Sequence, residues 1–190
     1  STRIACAVLM VAALGGTLSG CVALVGGTAA VAGMSAVDRR TTGTQLEDEG
    51  IELRGGNRIG EVMGEKARVG VTSYNRIALL TGQVPAQSDR DLVEASMKTV
   101  PNIRYIVNEI TVGPMVPQSP NDALITARVK TVLVGSSNVK STAVKVITEK
   151  GVVYLMGIAT QQESDRSAAA ASGVNGVVKV VKVFEIVGNT

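Results

Sequence analysis

The sequence predicts an α+β protein made of two tandem αββαβ units, each a three-stranded mixed sheet with two helices on one face. Three observations carry this. Four short blocks recur in the same order, offset by about 75 residues. Val69-Gly70-Val71 pairs with Val144-Lys145-Val146, Arg76–Gly82 with Gly151–Gly157, Ser88-Asp89-Arg90 with Ser164-Asp165-Arg166, and Val100–Ile103 with Val174–Val177. Each copy also reads helix, two β-rich runs, helix, strand. Between the copies, Gly113–Pro120 carries three prolines and reads as a semi-rigid spacer.

The first unit opens with a helix over Asp48 to about Ile59, with Ile51 and Ile59 at helical spacing and Gly55-Gly56 weakening it by about 1 kcal/mol per glycine. Arg68–Ser73 and Ile77–Thr81 are β-rich, joined by a turn over Ser73–Arg76. A helix over Ser88–Thr99 and a strand over Ile103–Val112 complete the unit. The second opens with Asp122–Val134, where Ile125, Val129, Val132 and Leu133 form an apolar stripe facing the sheet. Asn121 or Asp122 is its expected N-cap. Ala143–Thr148 and Val152–Met156 form the hairpin around Glu149-Lys150-Gly151, followed by a helix over Gln162–Ser172 and a strand over Val177–Val187. Gly82 and Gly157 each end a strand before a helix, so each is expected in a tight turn with φ > 0. Neither is followed by a phosphate-loop pattern.

Composition narrows the function. Of 190 residues none is histidine or tryptophan, and only two are cysteine, Cys6 and Cys21. The commonest general base and commonest metal ligand, histidine, is missing, and a single cysteine in the mature chain would rule out thiolate metal sites. No metal or cofactor is expected. From Thr44 to Val112 eight basic residues face ten acidic ones, whereas from Pro120 to Thr190 eight face five. The second half is thus the more basic, which hints at an anionic partner. No basic stripe interleaves with aromatics, so nucleic acid is a poor partner. Two carboxylate pairs, Asp89/Asp91 and Asp165/Glu163, are the sole candidates for catalysis. Both sit at expected helix N-termini, where acids stabilise the helix without doing chemistry. The reading is therefore not an enzyme, and no small-molecule substrate is expected.

The N-terminal stretch reads as an export signal over residues 1–20. Arg3 supplies the charge, and Ile4 to Leu18 carry none. Leu18-Ser19-Gly20-Cys21 resembles the lipobox of bacterial lipoproteins, in which the cysteine thiol receives a diacylglyceryl group and becomes the first residue of the mature chain. The alternative is a plain signal peptide cut nearby. Val22 after the cysteine resembles the sorting pattern for the outer membrane. Residues 21–43 would then be an acylated end and a Gly/Ala/Val-rich tether. On this reading 44–113 is the first folded domain, 114–120 the linker and 121–190 the second domain.

The hairpin, the glycine, the Ser-Asp-Arg helix and the closing strand together resemble the BON domain, a small αββαβ module of bacterial envelope proteins. The resemblance is densest at Gln45–Arg54, Ser136–Lys140 and Val153–Gly157. Two such domains behind a lipobox resemble the dual-BON outer-membrane lipoproteins. That implies a non-enzymatic, lipid-anchored protein of the periplasmic face of the outer membrane, acting in envelope integrity. In that family the first helix of the second domain associates with anionic phospholipid, often through a Trp where this chain has Leu124. Helical spacing puts Leu124 and Val134 off the buried stripe, with Thr131 between them and Arg128 and Lys130 at the margins. These five residues are the candidate phospholipid-binding face. The other reading of Leu124 and Val134 is packing against the first domain or the last strand. The alternative function is a protein–protein adaptor docking on an outer-membrane assembly or the cell wall.

Overall fold

The computed structural model describes residues 38–117, 119–136 and 143–188. The export signal, Cys21 and the tether through Ala36 lie outside the described residues. Both αββαβ motifs fall in one compact unit, Val37–Thr190.

Helix α1 runs Thr42–Met63, six residues earlier than the apolar spacing indicates. Thr41 explains the early start, because its hydroxyl accepts from Thr44 N at 3.2 Å. Ile51 and Ile59 are buried as their spacing predicts, together with Gly55 and Met63. Gly55 is more than a weak helix former. A Cβ there would lie 2.9 Å from Met97 Cε and 3.2 Å from Val71 Cγ1, so the bare backbone lets α1 approach its neighbours. A short 3-10 turn, Gly64–Lys66, then leads into β1 (Arg68–Tyr74) and β2 (Ile77–Val84). Helix α2 (Gln87–Met97) and β3 (Tyr105–Val112) complete the first half.

The second half repeats this order with α3 (Pro120–Gly135), β4 (Val144–Glu149), β5 (Val152–Ala159), α4 (Gln161–Ser172) and β6 (Lys179–Ile186). Ser119, not Asn121 or Asp122, caps α3, accepting from Asn121 N at 3.2 Å with Pro120 in the first turn. Asp122 is buried instead. Ile125, Val129 and Leu133 pack inward, but Val132 is 39 % exposed and does not belong to the buried stripe. It stands at the edge of that stripe, where the sheet no longer covers it.

In each sheet the central strand pairs antiparallel with the first and parallel with the third. The hairpins turn on two residues, fewer than the sequence suggested. Asn75 and Arg76 have φ of 50° and 65°, and Lys150 and Gly151 have 52° and 76°, the signature of type I′ turns. Gly82 and Gly157 lie inside β2 and β5, so neither sits in a tight turn, although Gly82 does take the expected positive φ, 119°. Their role is close approach. A Cβ on Gly82 would fall 1.9 Å from Arg68 O, and one on Gly157 2.6 Å from Ala143 O.

One face of each sheet holds the helices over its own core, Ile51, Leu80, Val93 and Met97 in the first half and Val129, Leu133, Val153 and Leu155 in the second. The opposite faces meet each other. Tyr74 and Leu79 from the first sheet join Tyr154, Met156 and Val183 from the second in a third core, giving four layers: helices, sheet, sheet, helices. Burial there pushes the Tyr74 and Tyr154 phenols up to about 12. Ion pairs rim the seam: Arg68 with Glu149, Lys145 with Glu52, and Arg104 with Glu185. At its margin Arg39 grips Glu163 (2.8 Å) and Ile158 O (2.8 Å) in the second half. The next residue, Arg40, binds Asp48 (2.8 Å) and lies 3.9 Å over the Tyr74 ring in the first.

The segment between the halves is fastened down. Buried Gln83 donates to Pro114 O (3.1 Å) and accepts from Val116 N (3.2 Å), and Arg68 Nε donates to Val116 O (3.2 Å).

Candidate functional site

Helix α3 is oriented by one buried carboxylate. Asp122 accepts from Lys150 N and Gly151 N, both at 2.9 Å, which ties the first turn of the helix to the β4–β5 turn. With Ile125, Val129 and Leu133 held against β4 and β5, the rest of the helix must face outward. Leu124 is 54 % exposed and Val134 71 %, and Arg128, Lys130 and Thr131 are exposed as well. The five candidate residues therefore share the outward arc, with the two cations at its edges. Packing against the first half or the last strand does not cover Leu124 or Val134.

Two residues join this surface that sequence spacing did not single out. A cleft of about 430 Å³ beside α3 is lined by Leu124, Arg128, Lys150, Gly151, Gly176 and Val178, among others. Val178 is 78 % exposed, and Lys150 lies across the cleft on the hairpin turn. Gly176, at φ 96°, bends the chain so closely to α3 that a Cβ would sit 3.1 Å from Ile125 Cδ1. The signal for Val178 was present in Gly176-Val177-Val178-Lys179, two adjacent apolar residues of which a strand start can bury only one. Arg128 donates to Asn175 O at 3.4 Å, which steers its guanidinium along the cleft.

The carboxylates considered for catalysis do structural work. Asp89 accepts from Ala86 N (3.1 Å), and Asp91 from Gln87 (2.8 Å). Glu163 and Thr160 close a capping box (2.8 and 3.2 Å), and Lys182 pairs with Asp165 (2.8 Å). Hydrogen bonding from Arg39, with Thr160 N behind it, holds the Glu163 carboxyl down at about 2. Among the described residues no three His, Cys, Asp or Glu side chains converge as metal ligands, and no helix is long and apolar enough to cross a membrane. Cys21, the candidate lipidation site, lies outside the described residues.

The fold and repeat define a tandem of two αββαβ domains, and comparison with known proteins identifies the family. The BON domain model matches twice, at residues 57–114 and 121–188. The chain is 43 % identical over 172 residues to the outer membrane lipoprotein DolP of Haemophilus influenzae, covering 88 % of this chain and 89 % of that one. It is 38 % identical over 155 residues to a 21 kDa hemolysin of Actinobacillus pleuropneumoniae, covering 80 % of each. Among solved structures, the C-terminal domain of CdsD, from the type III secretion system of Chlamydia trachomatis, overlays with a TM-score of 0.30 at 12 % identity. It spans 74 % of this chain and 67 % of that one, too slight a likeness to carry weight. The chain belongs to the BON-domain family, as a dual-BON, DolP-like protein.

Proposed function

We propose that this chain is a lipid-anchored protein of the periplasmic face of the outer membrane, and that it supports envelope integrity by binding anionic phospholipid through α3. The observation that carries the proposal is the outward arc of that helix, where Leu124 and Val134 stand exposed between Arg128 and Lys130. An amphipathic helix with cations flanking apolar side chains is what lies down on an anionic lipid surface. Each cation contributes about 1 kcal/mol there, and burying Leu124 adds about 1.5–3 kcal/mol. The lipobox-like ending at Cys21 and the naming of a 43 % identical relative as an outer membrane lipoprotein support the anchored location. The role is binding rather than catalysis, since the candidate acids are engaged as caps and ion pairs.

Co-sedimentation of the full chain with vesicles, with and without anionic lipid, tests this. Leu124→Glu should abolish binding to anionic vesicles and leave the melting temperature nearly unchanged. Binding that survives the substitution moves the site elsewhere and favours the adaptor reading. A large loss of stability would make Leu124 a packing residue.

A further inference from the structure

On the other flank of α3 runs a second groove, of about 460 Å³, between Ala123 and Thr126 of the helix and Val146, Ile147 and Thr148 of β4. Three consecutive β4 residues line it, so the groove follows the backbone edge of the strand. Among the described residues that edge has no strand partner, because β4 is the outer strand of its sheet and pairs with β5 alone. Glu149 and Val152 flank the two-residue turn, so Glu149, Ile147 and Lys145 bond to β5. Val146 and Thr148 then point their amides outward. Among the described residues nothing accepts from those two amides.

The first half shows the same position occupied. Ser73 is the residue equivalent to Thr148, and its outward amide donates to Glu52 Oε1 at 2.8 Å. Its carbonyl accepts from Lys145 Nζ at 3.2 Å. The edge of β1 is thus blocked at Ser73 by a carboxylate from its opening helix. In α3 the equivalent of Glu52 is Thr126, which spends its hydroxyl on Thr148 Oγ1 (2.7 Å) and reaches no backbone amide. The two halves differ at this acceptor, and among the described residues the Thr148 amide lacks the partner that Ser73 has.

We propose that this groove is a docking site for an extended segment of another protein, which adds to β4 as a further strand. Outward amides at every second residue ask for backbone carbonyls, which a lipid chain does not supply. The small walls, Ala123 and Thr126, fit small or β-branched side chains. Lys130, exposed one turn beyond Thr126 on the same flank, favours an acidic residue at one end of the segment. The floor is continuous with the seam between the halves, since Ile147 lines the groove and packs on the core that joins the two sheets. An occupant would therefore rest against an interface the protein already has. The other edge of this sheet, β6, carries Lys179, Lys182 and Glu185, the kind of charges that discourage strand addition.

The proposal stands apart from the lipid reading, and its test keeps the two separate. The probe is a hexapeptide of alternating valine and threonine closed by two aspartates, titrated into the isotope-labelled full chain. The amide resonances of Val146 and Thr148 should shift and become protected from exchange. Ala123→Arg, an exposed wall residue, should weaken the probe by at least about tenfold. Thr126→Glu, which copies the plug of the first half, should do the same and protect Thr148 without peptide. Leu124→Glu should leave probe binding intact, and Ala123→Arg should leave vesicle binding intact. Absence of shifts at Val146 and Thr148 up to about 1 mM probe, or binding that survives both groove variants, overturns the proposal.

Discussion

Asp48 and Asp122 occupy the same place one repeat apart, and each holds the hairpin of its own half by its turn amides. Asp48 accepts from Asn75 N and Arg76 N at 2.7 Å, and Asp122 from Lys150 N and Gly151 N at 2.9 Å. Asp48 also takes the Ser73 hydroxyl (2.7 Å) and the Arg40 guanidinium (2.8 Å). Asp122→Ala should cost about 2–3 kcal/mol, since it strands two amides that were bonded to a charge. Asp48→Ala also strands the Ser73 hydroxyl and leaves Arg40 with Asp38 as its remaining carboxylate, so it should cost more, about 3–5 kcal/mol. Urea unfolding of the two variants against the parent checks the order.

The glycines separate into two kinds with opposite outcomes. Gly82→Ala forces a Cβ to within 1.9 Å of Arg68 O at φ 119° and should cost about 3 kcal/mol or more. Gly60 faces open space on α1, so Gly60→Ala should stabilise by up to about 1 kcal/mol. Thermal melts of the two variants would show shifts of opposite sign.

Glu163 supplies a pH dependence with a definite direction. Its folded value of about 2 lies below the ordinary 4.5, so its contribution is complete above pH 4.5 and is lost as pH falls through about 2. Arg39→Gln removes the main cause. The gap in melting temperature between parent and variant should be widest near neutral pH and narrow steadily below pH 4.5. A constant gap would show that Arg39 acts through packing and its bond to Ile158 O, not through Glu163.

The seam between the sheets should be separable from the two cores. Met156 is fully buried there, between Tyr74, Leu79 and Val183. Met156→Glu places a charge in that layer and leaves both helix-facing cores intact. Calorimetry should then resolve two transitions, against a single one expected for the parent.

Cys21 carries the anchoring reading. Mass analysis of the native protein should find an acylated cysteine at the mature N-terminus, and Cys21→Ser should release the chain from the membrane fraction.

The tandem αββαβ order was legible because its signals are local: strand-like runs, turn residues, and a repeat long enough to show in the sequence. The outward placement of Leu124 and Val134 was legible for the same reason, since helical spacing fixes a face. What was not legible depends on contacts distant in sequence. Nothing in the spacing of Gly82 or Gly157 separates a turn from a strand approached by another backbone. Val132 stands at the margin of an apolar stripe whose width the sheet decides. Asp122 looked like a helix cap because its amide partners are a hairpin away, on Lys150 and Gly151. Lys150 and Val178 joined the α3 cleft only through the path that Gly176 imposes on the loop.

The buried amide of Gln83 has a consequence for how the two sheets stay together. Five buried side chains, six partly buried apolar ones and a rim of partly exposed ion pairs join the sheets, and exposed ion pairs add little by themselves. Because Pro114 and Val116 are clipped to Gln83 and Arg68, the second sheet is delivered to the first over a short, shape-restricted span. Encounter is then intramolecular, at an effective concentration of about millimolar or above. At that concentration a modest patch stays closed. Proteolytic cleavage of the span would return the halves to bulk dilution, where the same patch would have to hold without that concentration.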